Sequence, residues 1–332
     1  MGTDKLRIVV IGTSAGGLSA LSELVSQLKP TGNCAFFIVM HLSKTGLGEY
    51  LVHRLQPLTE LHCVMAQDKM TINADHIYIA RPNKHLVLSK NAISLGGGPA
   101  ENSWRPSIDV LFRSAAAAFN ARAIGIILTG FLSDGTSGMI AIKRSGGICI
   151  VQDPNEAEVP DMPLSVLNQI EVHFTVSLAR MGEILEEIII TEPKETQPPP
   201  DIIAEAKLAN TMAVGISETQ KLGEQTVYCC PDCGGPLWKA NQDQIDRYRC
   251  FTGHSYSEKE LLIKQNNNIE NTLWVAIRMM EERYNLYLKI AKGHYTTGIR
   301  RLGSNYQEEA DNLKTHIEKL KSVLIAVQNQ QD

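Results

Sequence analysis

Arg7-Ile8-Val9-Val10-Ile11-Gly12-Thr13-Ser14-Ala15-Gly16-Gly17-Leu18 joins a run of apolar residues to a glycine-rich turn and then to an amphipathic stretch. The run Ile8 to Ile11 suits a strand covered on both faces, and Leu18, Leu21, Leu24, Val25 and Leu28 mark the apolar side of a following helix. Ser14 is a lone hydroxyl at the junction of the two. Gly12, Gly16 and Gly17 let the backbone turn tightly and approach a ligand, while the helix N-terminus offers unpaired N–H donors to negative charge. Two chemistries fit this arrangement: phosphate binding, and acyl transfer in which Ser14 attacks and the donors hold an oxyanion.

Working outward, the same alternation continues to about residue 190. Apolar runs at Ile8–Ile11, Ala35–Met40, His76–Ala80, Leu86–Leu88, Ile124–Thr129 and Gly147–Val151 read as strands. Between them, Leu18–Leu28, Gly48–Leu55, Ser107–Phe119, Thr136–Arg144 and Leu178–Ile190 read as helices. Strands alternating with helices predict an α/β fold, doubly wound, with a mainly parallel sheet and helices on both faces.

Four segments are expected along the 332 residues. Residues 1–190 form the catalytic-size domain. Residues 191–226, with Pro193 and Pro198-Pro199-Pro200, form a stiff-started linker in which Ile202 to Met212 is a helical patch. Residues 227–257 form a small cysteine-rich zinc knuckle. Residues 258–332 form an α-helical hairpin, because Ile269, Leu273, Ile277, Met280, Tyr284, Tyr287 and Ala291 keep helical spacing, as do Tyr306, Ala310, Leu313, Ile317, Leu320, Leu324 and Val327. Gly298 and Gly303 are expected to flank the turn.

The formal net charge of −4 gives no electrostatic argument for nucleic acid or an anionic membrane. The N-terminus has no apolar h-region, and no apolar run reaches the ~18 residues of a spanning helix, so a soluble, cytoplasmic protein without membrane insertion is expected. Of the 7 cysteines, Cys34, Cys63 and Cys149 stand singly in strand-like contexts, whereas Cys229, Cys230, Cys233 and Cys250 cluster. Cys230-Pro-Asp-Cys233 and Cys250-Phe-Thr-Gly-His254 together read as C-x₂-C…C-x₃-H, the donor pattern of a closed, structural tetrahedral zinc site. Cys229 is an alternative to Cys230.

A serine nucleophile needs a base, and the base needs an orienting group. In a parallel sheet the C-terminal strand ends share one edge, where ligands bind. His41 directly follows the run ending at Met40, and Asp134 follows the run ending at Thr129 within Gly130-Phe131-Leu132-Ser133-Asp134-Gly135. His53, His62, His76, His85, His173, His294 and His316 are rivals for the base. Nucleotide binding at the glycine turn is a weaker reading, because a histidine stands at the end of the second strand where an acid would meet a ribose.

Residues 7–170 resemble the catalytic domain of the chemotaxis protein-glutamate methylesterases, the CheB-type family. The resemblance rests on Ile11-Gly-Thr-Ser-Ala-Gly-Gly17, on His41, on His76-Ile-Tyr-Ile-Ala-Arg-Pro82 with His85, and on Arg105-Pro-Ser-Ile-Asp-Val-Leu-Phe-Arg-Ser114. It rests also on Leu128-Thr-Gly with Ser133-Asp-Gly135, and on Val151-Gln-Asp-Pro154 with Pro160-Asp-Met-Pro163. It implies a Ser14, His41, Asp134 triad that hydrolyses glutamyl methyl esters of a methylated chemoreceptor-like protein, and deamidates glutamines, with no catalytic cofactor. The knuckle and the helical tail resemble those of family members without an N-terminal phospho-receiver. Because this sequence begins at the catalytic strand, control by a tethered receiver is not expected. Two departures stand out: Ala15 replaces a common Thr, and Gly130-Phe131-Leu132 replaces Gly-Met-Gly or Gly-Thr-Gly. They motivate an alternative reading, a catalytically weak sensor or scaffold that binds signalling partners through knuckle and tail.

Overall fold

The computed structural model describes residues 6–41, 47–194, 196–209, 223–240 and 245–328. It divides into two compact units, residues 1–260 and 261–332. The part of the predicted helical patch beyond Ala209 lies outside the described residues.

In the first unit the opening stretch forms β1 (Arg7–Thr13) and α1 (Gly17–Gln27). Next along the chain come β2 (Cys34–Met40), α2 (Leu47–Leu55), β3 (His62–Met65), β4 (His76–Ile79), β5 (His85–Leu88), β6 (Ile93–Gly96), α3 (Ile108–Phe119) and β7 (Ala123–Ile127). The α/β part closes with α4 (Thr136–Arg144), β8 (Ile148–Gln152), α5 (Asp161–Leu167), β9 (Phe174–Val176) and α6 (Leu178–Ile190). Seven strands form one sheet in the order β3-β4-β2-β1-β7-β8-β9, and every neighbouring pair is parallel. The chain winds outward in opposite directions from β1, so the switch point of the sheet lies at the C-terminal end of the opening strand.

The apolar run of β1 serves both faces. Ile8 and Val10 pack with Phe37, Leu111, Phe112 and Ile142, whereas Val9 and Ile11 pack with Phe36, Leu21, Leu24 and Leu185. Burial on both sides explains why these strands lack polar alternation. The predicted Leu86–Leu88 strand is not in this sheet; it pairs antiparallel with β6 in a separate hairpin. β3 and β9 carry exposed or half-buried residues and a weak apolar signal, which is why the periodicity does not reveal them.

A further helix, α7 (Pro200–Ala209), buries Ile202 and Glu205. Then β10 (Gly223–Cys229), β11 (Pro236–Ala240), β12 (Arg247–Cys250) and β13 (Ser255–Ser257) form an antiparallel sheet of 4 strands in chain order. α8 (Glu258–Thr296) starts on a reciprocal cap: Ser257 N–H donates to Glu260 Oε2 at 3.2 Å, and Glu260 N–H donates to Ser257 Oγ at 3.4 Å.

In the second unit the rest of α8 and α9 (Arg300–Gln328) face each other through Ile277, Ile317 and Leu324, supported by Leu273, Met280, Tyr284, Leu313 and Leu320. Ile269, expected in the stripe, is exposed. Gly298 turns the chain at φ 80°, but Gly303 lies inside α9, where a Cβ would come 2.8 Å from the Tyr295 ring.

Candidate active site

Ser14 follows β1, His41 follows β2, and Asp134 lies in the loop between β7 and α4, so all three sit at the C-terminal edge of adjacent strands. Backbone bonds tie these ends together: Ser14 N–H donates to Thr129 O at 3.0 Å, and His41 N–H donates to Thr13 O at 3.1 Å. Close approach requires glycine here. A Cβ on Gly130 would lie 2.7 Å from Ser14 Cβ, and one on Gly12 would lie 2.3 Å from Ile108.

His41 is 8% exposed, and its Nε2 bonds Asp134 Oδ2 at 2.8 Å. With Nε2 carrying the proton toward the carboxylate, Nδ1 is the unprotonated nitrogen. Among the described residues Nδ1 is buried without a partner, and no hydrogen bond joins it to Ser14 Oγ. Beside Ser14 lies a cleft of about 560 Å³ lined by Ala15, Gly16, Met40, Arg54 and Glu158. The N–H groups of Ala15 and Gly16 have no acceptor among the described residues and stand at the start of α1.

Asp134 is held from three sides. Asn102 Nδ2 and Ser107 Oγ donate to Oδ1, each at 2.9 Å, and the Ile108 and Asp109 N–H groups at the start of α3 donate to Oδ2 and Oδ1 at 2.8 and 3.2 Å. Burial opposes ionisation, but the His41 hydrogen bond and charge, the Ile108 N–H and the Asn102 amide outweigh it and hold this carboxyl below the usual range. The neighbouring Asp109 takes the opposite course. Burial and the charge of Asp134 push it up to about 7. Asn102 Nδ2 bridges the two, donating to Asp109 Oδ2 at 2.7 Å as well.

Sequence reasoning missed Asn102 and Trp104. The Trp104 ring stacks on His41 with centroids 4.1 Å apart and planes 8° apart. Neither residue lies at a strand end, and the only local signal is the short polar turn they occupy. Ser107 stands before α3 as an N-cap candidate would, yet its hydroxyl serves Asp134 instead of its own helix. Leu132 adopts the left-handed φ of 65°, and Phe131 is 58% exposed.

Cys230, Cys233, Cys250 and His254 come together, their donor atoms all within 4.8 Å of one another, while Cys229 is exposed and outside the group. Cys230 Sγ and His254 Nδ1 are 3.7 Å apart, Cys233 Sγ and Cys250 Sγ 3.7 Å, and Cys250 Sγ and His254 Nδ1 3.5 Å. A tetrahedral zinc ion requires S···S separations of about 3.8 Å and S···N of about 3.5 Å, so the donor set fits that metal. Tyr256 Oη lies 3.1 Å from Cys230 Sγ and donates its proton to Asp232 at 2.7 Å, so the cluster is tied to the end of the small sheet.

Residues 9–185 match the family model described as CheB methylesterase. A Leptospira interrogans relative whose name carries both protein-glutamate methylesterase and protein-glutamine glutaminase is 37% identical over 177 residues, covering 53% of this chain and 91% of its own length. The protein-glutamate methylesterase/protein-glutamine glutaminase of Escherichia coli strain K12 is 32% identical over 181 residues, so the match spans 51% of that longer protein. The crystal structure of the Thermotoga maritima CheB methylesterase catalytic domain superposes with a TM-score of 0.51 at 29% identity, covering 55% of this chain and 97% of that one.

Proposed function

We propose that this chain, which belongs to the CheB methylesterase family, hydrolyses glutamyl methyl esters on a chemoreceptor-like protein through Ser14, His41 and Asp134. Ser14 Oγ attacks the ester carbonyl while His41 Nδ1 accepts its proton. Asp134, ionised and bonded to Nε2, keeps the productive tautomer and stabilises the imidazolium. The Ala15 and Gly16 N–H groups are the donors for the oxyanion. The imidazolium returns the proton to the departing methoxide, methanol leaves, and the imidazole then activates water to free Ser14. The same acyl-enzyme route releases ammonia from a glutamine side chain.

The observation that carries this reading is the buried His41–Asp134 pair of 2.8 Å at the strand edge where Ser14 follows β1. The chemistry needs no catalytic cofactor. Cys230, Cys233, Cys250 and His254 would hold a structural zinc ion, and four protein donors leave no position for substrate. The exposed Trp274, Val275, Met279 and Leu286 of α8 support docking of a signalling partner by the hairpin.

Methanol release from a methylated receptor fragment tests the reading, together with mass-spectrometric mapping of a fluorophosphonate adduct to Ser14. Turnover undiminished in Ser14→Ala would sink it. A second reading, a catalytically weak scaffold, draws on the open Ser14–His41 pair. In free hydrolases that bond is often long and tightens only with substrate, so the hydrolase reading is preferred.

A further inference from the structure

We propose that the turn Glu101–Trp104 couples the fold of the Cys/His knuckle to the geometry of His41 and Asp134, with Asn102 as the positioning residue; this rests on the hydrolase reading above. The turn is closed by reciprocal backbone bonds, Glu101 N–H to Trp104 O at 3.1 Å and Trp104 N–H to Glu101 O at 2.9 Å. Its two central residues, Asn102 and Ser103, both adopt left-handed φ, 52° and 67°. Consecutive non-glycine residues in that region persist only where surrounding contacts hold them.

The knuckle supplies those contacts. Arg249 Nη2 meets Glu101 Oε1 at 2.5 Å, Asn102 N–H donates to Ser255 O at 2.8 Å, and Glu101 and Ser255 form an isolated bridge. Arg249 immediately precedes Cys250, Ser255 immediately follows His254, and the two residues pair across β12 and β13. Both grips are therefore placed by the loop that brings two of the four metal donors. Glu101 is 2% exposed and is held between Arg249 and Arg113, so withdrawing Arg249 leaves a buried carboxylate half-compensated.

On its other side the same turn touches both members of the His–Asp pair. Asn102 is 5% exposed and its amide spans Asp109 and Asp134, while Trp104 stacks on His41. Opening the knuckle frees Glu101 and the Asn102 N–H. The turn relaxes, the amide leaves Asp134, and the Trp104 ring leaves His41.

The test uses the full chain loaded with zinc alone. Amide exchange over residues 101–109 is followed by mass spectrometry before and after a chelator, and in Arg249→Met. Both treatments should speed exchange there by about tenfold or more while β1 stays protected. On the methyl ester, Arg249→Met should lower kcat about tenfold with KM within about twofold, yet cost under about twofold in an Asn102→Ala background, where the route is already cut. If Arg249→Met does not fold, Arg249→Lys, which keeps the charge but not the fork, should give the same pattern at smaller size. Unchanged exchange over 101–109 after metal removal, or kcat losses that simply multiply, would overturn the coupling. Exchange is read without substrate, so a chain that hydrolyses esters independently of Ser14 would defeat the hydrolase reading and leave this measurement intact.

Discussion

The two clusters of chemical side chains in the first unit are built by opposite means. Cys230, Cys233, Cys250 and His254 lie within one small antiparallel sheet and span 25 residues of chain. Ser14, His41 and Asp134 follow three adjacent strands of a parallel sheet, the paired histidine and aspartate standing 93 positions apart in the sequence. A local cluster can assemble with little more than its own turns and a metal ion, whereas a dispersed one exists only once the sheet order is complete. The difference teaches where each cluster is vulnerable. Damage to the first is confined to its own fold and to whatever leans on it, and damage to the second is felt in chemistry before stability.

The largest expected effect tests that division. Asp134→Asn should lower kcat for ester hydrolysis by about 10³–10⁴-fold, by favouring the wrong tautomer of His41, with the zinc content of the purified chain unchanged from the parent. Steady-state kinetics beside metal analysis checks it, and loss of both together would break the comparison. Next comes Cys250→Ser, which should remove the zinc that the four donors are proposed to hold and raise amide exchange through residues 236–240 and 245–257 while leaving β1 protected. Its kcat should fall only about tenfold, through the turn at Asn102. A global unfolding at the same temperature would show that the knuckle is not an independent cluster.

A pH-dependent effect sharpens the comparison, because Glu260 stands where the knuckle ends and feels the dispersed site. Burial first, then the charges of Asp134 and Asp109, push its carboxyl up to about 8. A folded pKa above the unfolded value, about 4.3, means the native protein retains a proton that the unfolded chain has lost, so stability drains away as pH rises through that window. Glu260→Gln should therefore equal the parent near pH 4 and exceed it increasingly up to pH 8, while keeping the cap on α8. Urea unfolding at three pH values checks this, and a pH-independent difference would refute it. The smallest effect is expected at the exposed rim. Phe131→Ala should raise KM about threefold to tenfold, on the order of 1 kcal/mol of contact with substrate, at nearly unchanged kcat.

Much of this was legible in the residues. The β1–α1 junction, five of the six helices of the α/β part and the helical stripes of α8 and α9 follow from apolar spacing within a turn or two of chain, the range over which periodicity reports burial, whereas the short α5 (Asp161–Leu167) was not read from the sequence. Cys230 through His254 follow from ligand spacing for the same reason. The candidate serine, histidine and aspartate were found because ligand sites favour the ends of parallel strands, a rule about position, helped by family likeness. That rule could not choose His41 over its rivals from composition.

Tertiary structure alone decided the rest. Which histidine meets Asp134 depends on β2 and β7 flanking β1, an order set by crossovers and not by any local pattern. That Asn102 and Trp104 hold the pair, and that Arg249 reaches Glu101 across a separation of 148 residues, depends on where a polar turn and a knuckle land after both sheets have formed. Local sequence encodes the elements and their buried faces through short-range sterics and hydrophobic periodicity. Contacts between distant polar side chains carry no period, and only the completed packing selects them.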